Sequence, residues 1–277
     1  MEKKPLVVVN GLVRKDAIAY LKEHVDVRQW TEKTVMPREV LKEWLIDADG
    51  LWCVRPLDVD GDLVKNAPNL KVIAQAAVGY DNVNIDELTA AGIPYGNTPG
   101  VLNETVAELA FTLIATASRR IIENANFVKD GRWAQRPSNI KGFDLSRRTL
   151  GIIGMGAIGV SISRRARAFG MTVVYHNRNQ RLDDKIHKTT YMELDDLLAI
   201  SDVVCVMAPL TDETYHMCDE AFFKKMKNTA LFVNVGRGPI VDTDALINAL
   251  KTGEIDYADL YVTDPEPLTV DHPLLDV

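Results

Sequence analysis

The chain has 277 residues, more than one domain usually contains, so its length predicts two domains or one large α/β unit. Its 32 basic and 39 acidic residues give a formal net charge of -7, and this acidic balance argues against a nucleic-acid partner. No run reaches the ~18 consecutive apolar residues of a transmembrane helix, so we expect no membrane contact.

The cysteines and the start of the chain bear on localisation. Cys53, Cys205 and Cys218 each lie in or beside an apolar segment, such as "LWCV" or "VVCVM", and they lack the spacing of metal ligands. Such thiols are typical of buried, reduced positions in cytosolic proteins. The opening "MEKKPLVVVNGLV" has too short an apolar run for a secretory signal peptide. We therefore expect a cytoplasmic protein without a metal site.

The first hundred residues alternate short β-branched runs with helical patterns. The stretches "PLVVVNGL", "KDAIAYLKEHV", "EVLKEWLIDADGLWCV" and "LKVIAQAAVG" follow one another in a βαβ rhythm. The Pro- and Gly-containing "AGIPYGNTPG" then interrupts the chain. We predict a first, flavodoxin-like α/β domain over residues 1–100.

One long helix is predicted next. The segment "NETVAELAFTLIATASRRIIENANFV" carries apolar residues at helical spacing from Val106 onward. A second alternating series follows, with the runs "LGIIGMG", "MTVVYH", "DVVCVMAP", "ALFVNVG" and "DYADLYV". Continuous apolar strands are typical of a parallel sheet covered by helices on both faces. The predicted fold class is therefore α/β, with two doubly wound parallel-sheet domains.

A glycine pattern stands between the first two strands of this series. Gly154, Gly156 and Gly159 form G-x-G-x-x-G directly after "TLGII" and at the head of "AIGVSISRRARAF". The first glycine permits a tight turn, the second lets the backbone approach a pyrophosphate, and the third allows close helix–strand packing. Because a second strand ends about 20 residues further on, the pattern predicts a Rossmann-type dinucleotide-binding domain over residues 101–277. A glycine turn needed only for packing is the alternative.

The end of the second strand distinguishes between the nicotinamide cofactors. An NAD site usually has an Asp or Glu there for the adenosine ribose, and a carboxylate would repel a 2′-phosphate. This chain instead has Asn177, Arg178 and, slightly later, Arg181. A guanidinium suits a phosphate dianion, so the sequence favours NADP. If both arginines are only solvated surface charges, NAD is the alternative.

Five stretches resemble the D-isomer-specific 2-hydroxyacid dehydrogenase family, and within it the glyoxylate/hydroxypyruvate reductases. They are "VGYDN", "NTPGVLNETVAE", "APLTDETYHM", "NVGRGPIVDTDALINALKTGEI" and "LYVTDPEPLTVDHPLL". The resemblance extends from about residue 70 to the end of the sequence. It implies reversible hydride transfer between NAD(P)H and a small 2-oxo acid, such as glyoxylate or hydroxypyruvate.

The resemblance also implies catalytic and substrate-binding residues. Arg237 in "VGRGPIVD" matches the arginine that binds the carboxylate and carbonyl oxygens of the substrate. Val78 and Gly79 match the turn whose backbone amides receive the substrate carboxylate. Glu266 in "DPEPL" matches the glutamate that orients the catalytic histidine and favours its protonated form. Arg237 and Glu266 are therefore the predicted catalytic residues.

Further matched positions concern the cofactor. Thr105 matches a residue near the nicotinamide, Ala157 and Ile158 match residues at the pyrophosphate, and Pro209 and Thr214 match the segment along the adenosine side. The predicted cofactor-binding set is Thr105, Gly154, Gly156, Ala157, Ile158, Gly159, Asn177, Arg178, Arg181, Pro209, Thr214, Val235 and Asp259.

Two departures from the family pattern stand near the end of the sequence. Tyr261 in "DLYV" occupies the place of the Asp that holds the nicotinamide carboxamide, and Asp259 replaces it only if the strand is shifted or bulged. The family's catalytic histidine lies in a "PH.G"-type turn beyond the position of Glu266, and a helix that returns to the first domain follows it. The sequence ends at Val277 before both, and His272 matches a non-catalytic position. We therefore expect a dehydrogenase that lacks its C-terminal end.

A different function is open at this point. The family fold also occurs in transcriptional corepressors that bind dinucleotides, so a dinucleotide-sensing protein without turnover is the alternative to an enzyme. Family enzymes are usually dimers through the nucleotide-binding domain, so we expect a homodimer. The expected partner is a 2-oxo acid substrate, with no nucleic acid and no membrane.

Overall fold

A computed structural model of the chain describes residues 3–135 and 140–277. The chain divides into two compact units, one ending at Leu102 and the other beginning at Asn103. The predicted boundary, between residues 100 and 101, lies two residues before this division. Each unit contains a parallel sheet with intervening helices, which confirms the predicted fold class.

The first unit alternates strands and helices. Its elements are β1 (Leu6–Val9), α1 (Lys15–His24), β2 (Asp26–Gln29), α2 (Arg38–Leu45), β3 (Gly50–Cys53), α3 (Gly61–Lys65), β4 (Val72–Gln75), α4 (Ile85–Ala90) and β5 (Tyr95–Gly96). The strands pair in parallel in the order β2-β1-β3-β4-β5, which is the flavodoxin-like order. Ligands of such sheets bind at the carboxyl ends of the strands.

The core of the first unit follows from the apolar spacing. In α2, Leu41 and Leu45 lie four residues apart on one face of the helix, and both are completely buried. They pack in one cluster with Leu51 of β3 and Ile73 of β4. The amphipathic helix therefore covers the sheet from which the predicted substrate-binding turn projects.

The second unit begins with two helices and continues as a six-stranded sheet. Its elements are α5 (Asn103–Ser118), α6 (Ile121–Lys129), β6 (Thr149–Ile153), α7 (Ala157–Ala168), β7 (Thr172–His176), α8 (Asp184–His187), β8 (Thr190–Tyr191), α9 (Leu194–Ile200), β9 (Val203–Val206), α10 (Glu220–Lys225), β10 (Leu231–Asn234), α11 (Thr243–Thr252) and β11 (Tyr257–Leu260). The strands pair in parallel in the order β11-β10-β9-β6-β7-β8, the Rossmann order. Within residues 3–135 and 140–277, no helix is both long and apolar enough to cross a membrane.

Helices cover both faces of this second sheet. Every residue of β9 and β10 is buried, as the continuous apolar runs predict. On one face, Ile152 and Val233 pack with residues of α5 and α7. On the other face, Val204 and Phe232 pack with residues of α9, α10 and α11. The two apolar layers fix the carboxyl ends of the strands, where the predicted cofactor residues stand.

The prediction of one long helix after Asn103 is wrong. The helix ends at Ser118, and α6 begins at Ile121 after a two-residue break in which Arg120 has a left-handed φ of 49°. The Ser118 carbonyl oxygen accepts a hydrogen bond from the Phe143 N–H at 2.7 Å instead of continuing the helical pattern. A Cβ at Gly142 would lie 2.3 Å from that same oxygen, so the returning chain is packed directly onto the end of α5.

Candidate active site

The glycine turn connects β6 to α7. Gly154 has a left-handed φ of 98°, and a Cβ there would lie 2.6 Å from the Ala208 nitrogen, so only glycine fits. A Cβ at Gly159 would lie 3.2 Å from the Gly154 carbonyl oxygen, which reflects the close packing of α7 against the turn. The geometry of the turn therefore requires glycine at position 154, whereas a side chain at position 159 would be tightly packed.

Gly156 differs from the other two glycines. Apart from its two chain neighbours, no described residue has an atom within 4 Å of the position of its missing Cβ, so the glycine leaves open space beside the turn. The 12-residue helix α7 begins at the next residue, Ala157, and no side chain among the described residues caps it. Its first-turn N–H groups, including those of Ala157 and Ile158, have no acceptor inside the helix. Open space at an uncapped helix N-terminus fits the pyrophosphate of a dinucleotide.

Two side chains of the loop after β7 hold Met155, the middle residue of the glycine turn. Asn177 Oδ1 accepts a hydrogen bond from the Met155 N–H at 2.5 Å, and Arg181 Nη1 donates to the Met155 carbonyl oxygen at 3.0 Å. Arg181 also forms a two-bond ion pair with Asp183, with Nε–Oδ1 at 2.8 Å and Nη2–Oδ2 at 2.7 Å. The hydrogen bonds from Arg181 are the main cause that lowers the pKa of Asp183 to about 2. Asn177 and Arg181, both predicted to contact the cofactor, thus contact the turn.

Arg178 has different surroundings from its neighbours. Its side chain is exposed, and it forms no hydrogen bond or ion pair with any residue that the structure describes. The nearby carboxylates are engaged elsewhere, because Asp183 pairs with Arg181 and Asp184 accepts from Gln180 Nε2 at 2.7 Å. A guanidinium is therefore available at the carboxyl end of β7.

The predicted substrate arginine lies in a turn after β10. The buried carboxamide of Asn234 accepts from the Gly236 N–H at 3.0 Å and donates to the Arg237 carbonyl oxygen at 2.8 Å. Arg237 Nη1 donates to the Gly236 carbonyl oxygen at 2.9 Å, and the side chain is partly buried. One asparagine side chain thus holds both ends of the turn that carries Arg237.

The segment that carries Glu266 packs against this turn. A Cβ at Gly238 would lie 1.9 Å from the Thr263 carbonyl oxygen, so the two main chains are in direct contact. The Thr243 hydroxyl donates to the Asp264 carbonyl oxygen at 2.9 Å and anchors the same segment to α11. Glu266 is exposed and forms no hydrogen bond or ion pair with any described residue. Its carboxylate is accessible to an incoming group.

Three more predicted cofactor residues follow the central strands. Pro209 and Thr214 lie after β9 and are joined directly, because the Thr214 hydroxyl donates to the Pro209 carbonyl oxygen at 2.7 Å. Val235 lies after β10 and is buried. The strands of this sheet are parallel, so these residues share one sheet edge with the glycine turn and Arg237.

Thr105 lies in the first turn of α5 and is exposed. The preceding residue, Glu104, joins α5 to α7: it forms ion pairs with Arg164 at 2.6 Å and Arg165 at 3.0 Å, and it accepts a hydrogen bond from the Ser161 hydroxyl. These contacts lower the pKa of Glu104, with the Ser161 hydrogen bond as the largest cause. The start of α5 is therefore fixed against the helix that begins at the glycine turn.

Asp259 is not brought to the strand end. β11 pairs with β10 in an unbroken register, with Val233 opposite Asp259 and Asn234 opposite Leu260, so the strand has neither the shift nor the bulge that the carboxamide role requires. Burial is the main cause that raises the pKa of Asp259 to about 6, and the charge of Glu123 adds to it. The carboxyl therefore belongs to a partly buried charged cluster.

The Val78–Gly79 turn of the first unit follows β4. Asn97 Nδ2 donates to the Val78 carbonyl oxygen at 2.8 Å, and Gln75 Nε2 donates to the Gly79 carbonyl oxygen at 2.8 Å. Asn82 contacts Gln75 in turn, with Nε2–Oδ1 at 3.3 Å. Because the peptide unit is planar and trans, a carbonyl held on one side directs the following N–H to the other side. The turn thus has its carbonyl groups satisfied and its amide groups oriented.

Sequence reasoning missed the side chains that hold these turns. Three carboxamide side chains, at the carboxyl ends of strands or close to them, hold the predicted ligand-binding turns: Gln75, Asn97 and Asn234. Each donates a hydrogen bond to a backbone carbonyl oxygen of a turn. Buried carboxamides need partners on both their oxygen and their nitrogen. An amide at the last position of an apolar strand, such as Asn234 in "ALFVN", is the signal that points to such a role.

The fold and the site define a class of protein. A Rossmann-type unit with a glycine turn that fits a dinucleotide, and an arginine at the same sheet edge, is typical of nicotinamide-dependent oxidoreductases. Residues 111–277 match the family described as "D-isomer specific 2-hydroxyacid dehydrogenase, NAD binding domain". A glyoxylate reductase from Korarchaeum cryptofilum is 41% identical over 275 residues, which cover 98% of this chain and 83% of the relative. The chain belongs to the D-isomer specific 2-hydroxyacid dehydrogenase family, as its motifs predict.

Solved structures of similar proteins share the fold. An NADPH-dependent glyoxylate/hydroxypyruvate reductase from Sinorhizobium meliloti, in complex with NADP and malonate, is 29% identical with a TM-score of 0.88 over 99% of this chain and 84% of that one. A D-lactate dehydrogenase from Aquifex aeolicus, complexed with NAD and lactic acid, is 28% identical with a TM-score of 0.84 over 98% and 84%. The predicted NAD(P)-dependent dehydrogenase is thereby confirmed and favoured over the dinucleotide-sensing alternative.

Proposed function

We propose that the protein reduces glyoxylate, hydroxypyruvate or a similarly small 2-oxo acid to the 2-hydroxy acid, with NADPH as the preferred hydride donor. In this proposal the domain predicted over residues 1–100 binds the substrate, and the domain predicted over residues 101–277 binds the cofactor. The similarity to glyoxylate reductases at 41% identity supports this substrate class.

The side chains and amides of the chain bind and orient the substrate. Arg237 presents a planar cation to the carboxylate and carbonyl oxygens, and it stabilises the negative charge that develops on the carbonyl oxygen. The amides of the Val78–Gly79 turn bind the carboxylate. Bound NAD(P)H supplies the hydride. The family resemblance implies that Glu266 accepts a hydrogen bond from a proton-donating histidine, and no histidine of this sequence matches that position.

The observation that carries the choice of NADPH is the accessible guanidinium of Arg178 at the end of β7. No free carboxylate stands beside it in the described loop to bind the ribose hydroxyls or to repel a phosphate, because Asp183 and Asp184 are both engaged. A charge-assisted bond from arginine to phosphate contributes roughly 1.5–3 kcal/mol, or about tenfold or more in affinity. The parent protein should therefore bind NADPH more tightly than NADH.

The test combines binding with turnover. Glyoxylate-dependent oxidation of NADPH and of NADH is followed at saturating substrate in a version of the protein that includes the family's catalytic histidine. The dissociation constants of both cofactors are measured in the parent protein and in Arg178→Ala. Equal affinities for NADH and NADPH in the parent would contradict the proposal. Arg237→Lys tests the substrate half, because lysine keeps the charge but loses the fork, so kcat/KM should fall while cofactor binding stays.

Two further properties belong to the same proposal. A homodimer formed through the second unit is supported by the apolar side chains that α6 exposes, namely Ile121, Ile122 and Val128. Sedimentation of the parent and of Ile122→Glu tests it.

A cytoplasmic location is supported by the thiols, since Cys53 and Cys205 are free and burial raises the pKa of each to about 12. Fractionation of cells that produce the protein tests the location.

A further inference from the structure

The two arginines after β7, Arg178 and Arg181, are both predicted to contact the cofactor phosphate, but they have different surroundings. Arg178 is exposed and has no partner among the described residues. All three guanidinium nitrogens of Arg181 are already bonded, Nε and Nη2 to the carboxylate of Asp183 and Nη1 to the Met155 carbonyl oxygen. Its charge is therefore largely balanced by Asp183 before any ligand arrives.

The loop around Arg181 is fixed from several sides. The Arg181 N–H donates to the hydroxyl of the fully buried Tyr175 at 2.8 Å. The Asp183 carboxylate also contacts His187 Nε2 at 3.1 Å. The bonds to Asp183 and to the Met155 carbonyl oxygen use three of the five N–H donors of the guanidinium and fix its position, so turning it toward a phosphate would break them. Each of these is a charge-assisted bond, which is about twice as strong as a neutral one.

We infer that Arg181 is a positioning residue that holds the glycine turn through Met155, whereas Arg178 alone receives the 2′-phosphate; this inference rests on the proposed nicotinamide cofactor. Asn177 bonds the N–H of Met155 and Arg181 bonds its carbonyl oxygen, so the peptide planes on both sides of this residue are held. The second of these planes leads directly into Gly156, beside the open space that fits a pyrophosphate.

Ligands that differ in their phosphate groups distinguish the positioning role of Arg181 from the phosphate-binding role of Arg178. ADP, NADH and NADPH all carry a 5′-pyrophosphate on adenosine, but only NADPH carries a 2′-phosphate. A residue that shapes the pyrophosphate site affects all three ligands equally. A residue that binds the 2′-phosphate affects NADPH alone.

The experiment measures the dissociation constants of ADP, NADH and NADPH by calorimetry, together with the thermal midpoint, for the parent, Arg181→Ala and Arg178→Ala. Arg181→Ala should weaken all three ligands in parallel, by about tenfold, because one charge-assisted bond that shapes the pyrophosphate site is lost. Arg178→Ala should weaken NADPH by about tenfold and leave ADP and NADH unchanged. Arg14→Ala is the matched control, because Arg14 forms the same Nε–Oδ1 and Nη2–Oδ2 pair with Asp16, two residues later in the first unit. It should change none of the three.

Arg181→Lys distinguishes the loss of this contact from a folding defect. Lysine keeps one charged donor for the Met155 carbonyl oxygen, so ADP affinity should return to within about threefold of the parent. Loss of NADPH affinity alone in Arg181→Ala, with ADP and NADH at parent values, would overturn the inference and leave the proposed function standing. An unchanged ratio of NADPH to NADH affinity in Arg178→Ala, with parallel losses in Arg181→Ala, would overturn the proposed phosphate contact and leave the positioning role. A parent protein that binds none of the three ligands would overturn both.

Discussion

Gly238 and Thr263 bring two segments of the second unit into main-chain contact. The Cβ of any other residue at position 238 would lie 1.9 Å from the Thr263 carbonyl oxygen and 2.2 Å from its carbon. Gly238 directly follows Arg237, and Thr263 lies three residues before Glu266. The relative placement of the two predicted catalytic residues therefore depends on the absence of one methyl group.

Gly238→Ala should destabilise the protein and separate these segments. Neither neighbour is a side chain that rotates away, so the backbone itself must move, and overpacking of this kind typically costs about 1–3 kcal/mol. Urea unfolding followed by circular dichroism measures the loss. Gly96→Ala is the control, because no described residue other than its chain neighbours has an atom within 4 Å of the missing Cβ. Its free energy of unfolding should change by less than about 0.5 kcal/mol. Similar stabilities of the two variants would refute the steric argument.

Gly156→Ala should leave stability unchanged and weaken cofactor binding. The site of its Cβ has no described residue within 4 Å other than its chain neighbours, and its φ is -87°, which alanine tolerates. Stability should therefore stay near the parent value. The added methyl group occupies the open space assigned to the pyrophosphate, so affinity for ADP should fall by about tenfold or more. Calorimetry with ADP and a urea unfolding curve test the two halves. Parent-like ADP binding would show that the pyrophosphate lies elsewhere.

Asn97→Ala should impair substrate binding without affecting the cofactor. The variant frees the Val78 carbonyl oxygen, so the Gly79 N–H is no longer held in one direction. We expect the KM for glyoxylate to rise by about fivefold to tenfold, the effect of about one hydrogen bond, at an unchanged dissociation constant for NADPH. Asn66→Ala is the control, since Asn66 donates to the Asp62 carbonyl oxygen at 2.8 Å in the same unit, away from the turn. A parent-like KM in Asn97→Ala would exclude the proposed role of the turn.

Local pattern was sufficient for most of the fold. Apolar runs in β9 and β10 and the spacing of Leu41 and Leu45 in α2 report burial directly, because strand and helix periods are properties of the chain itself. The break after Ser118 has no local signal, since it depends on a backbone contact with Phe143, 25 residues later. Helical spacing continues across the break, so the pattern predicts a single helix.

The site was predictable in part for a similar reason. The glycine turn and Arg237 stand at strand ends, and their positions follow from the order of strands and turns. The hydrogen bonds of Arg181 cannot be predicted in this way, because they depend on whether the Asp183 side chain folds back onto the guanidinium or projects into solvent. Likewise, "QAAVG" contains Gln75 but carries no indication that its amide reaches the Gly79 carbonyl oxygen.

Asp259 makes the stability of the second unit depend on pH. Burial, with a contribution from the charge of Glu123, raises the pKa of Asp259 from 3.8 to about 6, while Arg120 acts in the opposite direction. Between pH 4 and pH 6 the folded chain therefore binds a proton that the unfolded chain has already released. Stability contributed by this group is present below about pH 4 and is lost as the pH rises through 6.

Asp259→Asn removes this dependence. A shift of about two pKa units corresponds to at most ~3 kcal/mol, and partial solvent exposure reduces the expected gain at pH 8 to about 1–2 kcal/mol. At pH 4 the carboxyl of the parent is already protonated, so the two proteins should have nearly equal stabilities. Urea unfolding at pH 4 and pH 8 measures both differences, with Asp212→Asn as the control at an exposed carboxyl that should change neither. A gain of the same size at both pH values would mean that the asparagine packs better, and that the charge of Asp259 is not the cause.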